Sequence, residues 1–194
     1  MTGDSNCPEG FRRYYPLQNA NKVDHKYNFY ISADESVIYK NNNQSSLAFS
    51  TLISNQESFV RFGKILNGSI FEEVLRKHIC DGFDLEKDGS YKSRFMHGYR
   101  LDLIHTYEIS EEKLQIIYQR CDILLENLEY ASSNNELYGD WALHNLVYSL
   151  NDNCIINIDL EGFLTYNPLP EWADFSIIKT WIQEVQTEIT KSFH

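Results

Sequence analysis

The chain has 194 residues, 42% hydrophobic and 14% aromatic, enough apolar material to bury a real core, and this excludes a disordered chain. Its 28 acidic and 17 basic residues leave a net charge of -11, and no Lys/Arg-rich block is present, which argues against nucleic acid as a partner. No run reaches the ~18 uninterrupted apolar residues of a membrane span.

In chain order, FRRYYPL, KYNFYIS and SVIYK are rich in aromatic and β-branched residues, lie between polar turns, and read as strands over 11–40. The NNNQSS run at 41–46 leads into a mainly helical stretch over 47–79, broken at Asn67-Gly68. A polar loop, CDGFDLEKDGS, precedes YKSRFMHGYRLDLI, which reads as a strand, a turn at His97-Gly98 and a short extension. Ser110-Glu111-Glu112 opens the clearest helix, with Leu114, Ile117, Tyr118, Cys121, Leu124, Leu125 and Leu128 at three- and four-residue spacing; it should stop near 132–135. LVYSL and CIINI then flank an Asn151-Asp152-Asn153 turn and predict a hairpin, and 172–190 is a final amphipathic helix.

The four cysteines, Cys7, Cys80, Cys121 and Cys154, lack C-x-x-C or C-x-x-H spacing, so no zinc site is expected. Cys121 on the helix stripe and Cys154 in a strand read as buried thiols of a reducing compartment, and the N-terminus lacks the apolar core of a signal peptide. The expected location is cytoplasmic. His78, His97, His105 and His144 show no metal-cluster spacing and read as surface or loop histidines, and Trp141 reads as core.

The stretch YGDWALHNLVYSLNDNCIINIDLEGF carries the chemistry. Asp140 and Asn145 form an Asp-x-x-x-x-Asn unit, and Asp159 follows on the far side of the expected hairpin. A carboxylate beside an attacking hydroxyl orients it and accepts its proton, the role expected of Asp140. Mg²⁺ takes hard oxygen ligands, which Asn145 and Asp159 offer as a neutral carbonyl and a carboxylate. Phosphoryl transfer asks mainly for positioning and charge neutralisation of this kind.

The segment resembles the aminoglycoside phosphotransferase and choline kinase-like family of the protein-kinase-like fold. That family carries His-Gly-Asp-x-x-x-x-Asn, then Ile-Asp-x-Glu, then a further Asp before a helix; here stand Tyr138-Gly139-Asp140, Asn145, Ile158-Asp159-Leu160-Glu161 and Ala173-Asp174-Phe175. The His144-Asn145 pair is also similar to small kinases of lipopolysaccharide core sugars. The resemblance covers roughly 95–178. It implies an α+β, bilobal fold with a small β-rich front lobe over 11–94, a linker over 95–101 and a helical back lobe over 102–194, the cleft lying between the lobes. It implies ATP and Mg²⁺ as cofactors, Asp140 as catalytic residue, and Asn145 and Asp159 as metal ligands. Lys40, ending VIYK in the manner of the kinase strand lysine, would contact ATP with Glu57 as its acidic partner. Met96 and Gly98, in a segment like the inter-lobe connection, would meet the adenine.

Three departures qualify what the resemblance implies. Tyr138 replaces the family's His, and residues 17–27 contain no glycine where a Gly-rich loop would cover the phosphates. About twenty residues follow Asp174, where the family adds several helices, so the acceptor hydroxyl is expected on something large: a glycan, a sugar polymer or a protein. Two functions compete. One is an ATP-dependent phosphotransferase to a sugar, glycan or protein hydroxyl; the other is a pseudokinase, a binding or regulatory module without turnover.

Overall fold

Aromatic and β-branched residues suit a pleated, half-covered surface, and residues 11–42 are rich in them. The computed structural model describes residues 7–14, 27–42, 71–82, 84–85, 90–159, 163 and 174–193. The chain divides into two compact units, residues 1–59 with 81–95 and residues 60–80 with 96–194. The fold class is α+β, with an antiparallel sheet in the N-terminal part and a helical C-terminal part. The expected turn at 18–25, the helices expected over 47–70, Glu57, Leu160, Glu161 and Ala173 lie outside the described residues.

Among its described residues the first unit holds a five-stranded antiparallel sheet of β1 (Phe11–Tyr14), β2 (Tyr27–Ser32), β3 (Val37–Asn42), β4 (Asp84–Leu85) and β5 (Tyr91–Arg94), in the order β1-β2-β3-β5-β4. Tyr30, Ile31, Tyr39 and Tyr91 are buried in it. Tyr30 and Tyr39 are direct cross-strand partners with ring centroids 6.2 Å apart, so the pair also fixes the β2–β3 register. The turn into β3 is closed by Asp34, whose Oδ1 accepts from Ser32 Oγ (2.6 Å), Ser36 Oγ (2.8 Å) and the Ser36 amide (3.1 Å). The two serine hydroxyls and that amide hold the Asp34 carboxyl down at about 2.

Among its described residues the second unit holds a three-stranded antiparallel sheet, β6 (Gly98–Arg100), β7 (Leu146–Ser149) and β8 (Cys154–Asn157), with two helices, α1 (Glu111–Ser133) and α2 (Phe175–Lys191). In β7 every residue is buried, so the strand reads as a continuous apolar run rather than an alternation. A Cβ on Gly98 would lie 1.9 Å from the Tyr148 carbonyl oxygen, so only glycine lets β6 come this close to β7. At the β7–β8 turn Ser149 Oγ donates to Asp152, Tyr148 Oη donates to Asn153 Oδ1 (2.6 Å), and Asn153 takes a left-handed φ of 51°.

Helix α1 starts where its capping residue stands. Ser110 Oγ accepts from the Lys113 amide, satisfying one donor of the first turn, and Glu111 and Glu112 suit the positive end of the helix dipole. It ends at Ser133, and Asn135 turns the chain away at φ 58°. Of the apolar stripe, Ile117, Cys121, Leu124 and Leu128 are buried, and Leu114, Tyr118 and Leu125 are half-buried at its margins. Helix α2 begins at Phe175 behind an Asp174 cap whose Oδ1 accepts the Ile177 amide at 3.0 Å. It buries Ile178, Ile182, Val185 and Ile189. Gln186, also buried, donates from Nε2 to Asp122 Oδ1 (2.7 Å) and the Tyr118 carbonyl (3.3 Å), tying α2 to α1.

Candidate functional site

The Asp140 loop is held from beneath by aromatic packing. Gly139 has φ 93°, and a Cβ there would lie 2.4 Å from the Phe163 ring, so glycine is required both by conformation and by space. Trp141 is 1% exposed, packs edge-on against Phe163 with centroids 5.8 Å apart, and donates its indole N–H to the Tyr138 carbonyl at 2.6 Å. Trp141 is thus core, as expected, and the loop backbone is anchored to it on both sides.

Asp140 itself is half-buried. Its Oδ1 accepts the Ala142 amide at 3.0 Å, which sets the chain into a short 3₁₀ turn, Leu143–Asn145. Asn145 is buried, and its Nδ2 lies 3.4 Å from the Asp140 carbonyl, a long hydrogen bond across the turn. The Asn145 carbonyl accepts the Ile158 amide at 2.9 Å, which continues the β7–β8 pairing past its last ladder position, Leu146 with Asn157. These bonds bring the Asp140 loop, Asn145 and the strand leading to Asp159 side by side.

Asn157 completes the cluster, and sequence reading passes over it. Its side chain is fully buried. Nδ2 donates to the Asp140 carbonyl at 2.7 Å, and Oδ1 accepts the Asp159 amide at 2.8 Å. The only sequence signal was an amide residue interrupting the apolar run CIINI, where a buried polar group must find partners. Backbone bonds hold Asn157 too, since its carbonyl accepts the Cys80 amide at 3.0 Å and Ile79 bridges to it in parallel.

The other expected site residues are distributed as follows. Gly98 sits in β6 beside β7, and half-buried Met96 precedes it. Lys40 belongs to the first unit, on β3, with its ammonium 4.9 Å from the Tyr91 ring centroid and 6.0 Å from that of Phe29. Asp174 caps α2. Among the described residues no group of three or more His, Cys, Asp or Glu is placed to hold a metal ion.

His78 corrects a sequence expectation. It is 1% exposed rather than a surface or loop histidine. Nδ1 lies 2.7 Å from the Ile155 carbonyl and therefore carries the proton, and Nε2 accepts from Asn127 Nδ2 at 2.9 Å. Burial pushes His78 down to about 4, against the opposing pull of the Ile155 carbonyl and with a smaller contribution from Lys77. Cys154 Sγ is 3.3 Å from His78 Nδ1, and burial raises the half-buried thiol. The pair is a neutral thiol beside a neutral imidazole whose near nitrogen is already a donor. It lacks the thiolate–imidazolium character of a cysteine nucleophile.

A separate groove of about 390 Å³ is lined by apolar residues such as Ile104, Leu114 and Ile189 together with Glu108 and Glu188, and contains no residue of 138–159. No helix among the described residues is long and apolar enough to cross a membrane. No family model matches the chain, and no curated protein matches it either.

Proposed function

We propose that the protein is an ATP-dependent phosphotransferase of the bilobal, protein-kinase-like fold, acting in the cytoplasm on a hydroxyl of a sugar, glycan or protein. The observation that carries this reading is the hydrogen-bonded cluster of Asp140, Asn145 and the Asp159 backbone, three residues whose chemistry and spacing answer the needs of phosphoryl transfer. The Ala142 amide takes Asp140 Oδ1, and Oδ2 is the oxygen for an incoming hydroxyl: Asp140 orients it and accepts its proton. Asn145 and Asp159 are the residues that would hold Mg²⁺, which when bound neutralises phosphate charge. Lys40 is the cation that the resemblance assigns to the ATP phosphates, and the 95–101 segment with Met96 and Gly98 the part it assigns to adenine.

The second reading is a pseudokinase, favoured by Tyr138 in place of the family's His and by the absence of glycine over 17–27. Turnover of radiolabelled ATP, with and without candidate acceptors, separates the two. The enzyme reading expects Mg²⁺-dependent release or transfer of the γ-phosphate that is lost in Asp140→Ala. Mg²⁺·ATP that raises the melting temperature without any turnover gives the pseudokinase. Neither stabilisation nor turnover rejects both.

A further inference from the structure

We infer that Asn157 is a positioning residue of the site, a single side-chain amide that sets the separation of the catalytic loop and the metal-binding segment; this rests on the phosphotransferase reading above. A side-chain amide has one acceptor and two donors, and Asn157 uses its two ends on two different segments. Its Nδ2 holds the Asp140 carbonyl at 2.7 Å, and its Oδ1 holds the Asp159 amide at 2.8 Å. Asn157 is 0% exposed, and its own backbone is fixed by Leu146 on one side and Cys80 on the other. An amide so constrained transmits no slack: the carbonyl of the catalytic residue and the amide of the metal ligand sit at the two ends of one rigid planar group.

Where an apolar strand residue like the neighbouring Ile155 and Ile156 would only continue the core, position 157 carries an asparagine. Its presence answers two main-chain groups that belong to the site. Partners of this kind, one bond removed from a metal ligand, change metal affinity or activity by roughly 10–100-fold when lost. A misplacement of ~1 Å near the chemistry costs about 10²-fold in rate.

Two variants break the bridge. Asn157→Thr keeps a β-branched strand residue whose short hydroxyl cannot reach both segments at once, so at least one of the two bonds is lost. Asn157→Leu keeps the shape and loses both bonds. The probes are Mg²⁺ titrated against a fixed ATP concentration, ATP hydrolysis as the rate, and hydrogen exchange of the Asp159 amide in metal-free protein. Expected in Asn157→Thr is a kcat lowered about tenfold or more with the far-ultraviolet circular dichroism spectrum retained. Expected in Asn157→Leu is the same loss of kcat, plus a half-saturating Mg²⁺ raised and an Asp159 amide exchange accelerated by about tenfold. Wild-type kinetics and Mg²⁺ dependence in both variants would overturn the role of Asn157 and leave the phosphotransferase reading standing. Loss of folding in both would assign Asn157 to the fold and overturn the inference equally. Wild-type protein that neither binds nor hydrolyses Mg²⁺·ATP overturns the phosphotransferase reading itself, and this inference with it.

Discussion

Gly139 and Phe163 are packed so closely that the glycine α-hydrogen faces the ring where any Cβ would come within 2.4 Å of it. Because Phe163 also meets the Trp141 indole edge-on, the residue before Asp140 and the residue after it rest on one aromatic side chain. Gly139→Ala should therefore destabilise the protein by roughly 2–4 kcal/mol, combining a strained positive φ with overpacking. Urea unfolding measures it. A second substitution, Phe163→Leu, should restore part of the loss in a double-mutant cycle, and strict additivity would show that the contact is not responsible.

The metal and catalytic assignments separate in two single variants. On the phosphotransferase reading Asp159→Asn removes a charge that would hold Mg²⁺ against phosphate, so Mg²⁺·ATP binding should weaken about tenfold or more while the far-ultraviolet circular dichroism spectrum is retained. Asp140→Ala should lower turnover by about 10²–10⁴-fold with ATP affinity nearly unchanged. Calorimetric titration and single-turnover assays read the two effects. Unchanged Mg²⁺·ATP affinity in Asp159→Asn, or normal transfer in Asp140→Ala, rejects the corresponding role.

Lys40 offers a test in the first unit. Its ammonium lies over the Tyr91 ring at 4.9 Å, so Lys40→Met keeps the aliphatic stem and gives up a cation–π contact of about 0.5–1 kcal/mol. Stability should change by no more than that, whereas ATP affinity should fall roughly tenfold through loss of a phosphate-contacting cation. A variant that binds ATP as wild type does would return Lys40 to the status of a strand residue.

His78 makes stability depend on pH in a defined window. The unfolded side chain titrates near 6.5 and the folded one at about 4, because burial disfavours the imidazolium. Between these values the unfolded chain holds a proton that the folded chain does not, so stability is complete above about pH 6.5 and falls as the pH drops through 4. The contribution is ~3 kcal/mol. Urea midpoints of wild type and His78→Asn, compared from pH 7 to 4, isolate it from the titrating carboxylates. A parallel decline in the two proteins would contradict the assignment.

Local patterns carried the element order. Aromatic and β-branched runs between polar turns gave strands over 11–40, observed at 11–14, 27–32 and 37–42, three- and four-residue spacing gave α1, and the Asn151-Asp152-Asn153 turn gave the β7–β8 hairpin. These are legible because each depends on neighbours in the chain: a turn residue, a cap, or a repeat that aligns one face. The Asp140, Asn145 and Asp159 spacing is likewise read from neighbours in the chain, and its role is the proposal above. The final helix is expected over 172–190 and is described from Phe175, behind the Asp174 cap.

Long-range contacts settled the rest. Asn157 reaches Asp140 across 17 positions, and His78 reaches Ile155 across 77, so neither partner could be inferred from local composition. Glycine at 98 and 139 follows from a carbonyl and an aromatic ring that approach from elsewhere in the chain. Sequence alone determines the elements and the residue types of the site, since propensity and spacing act over a few residues. The partner of a buried amide, the charge state of a buried histidine and the room beside a glycine arise only when distant segments have packed, because desolvation and hydrogen-bond satisfaction are properties of the folded interior.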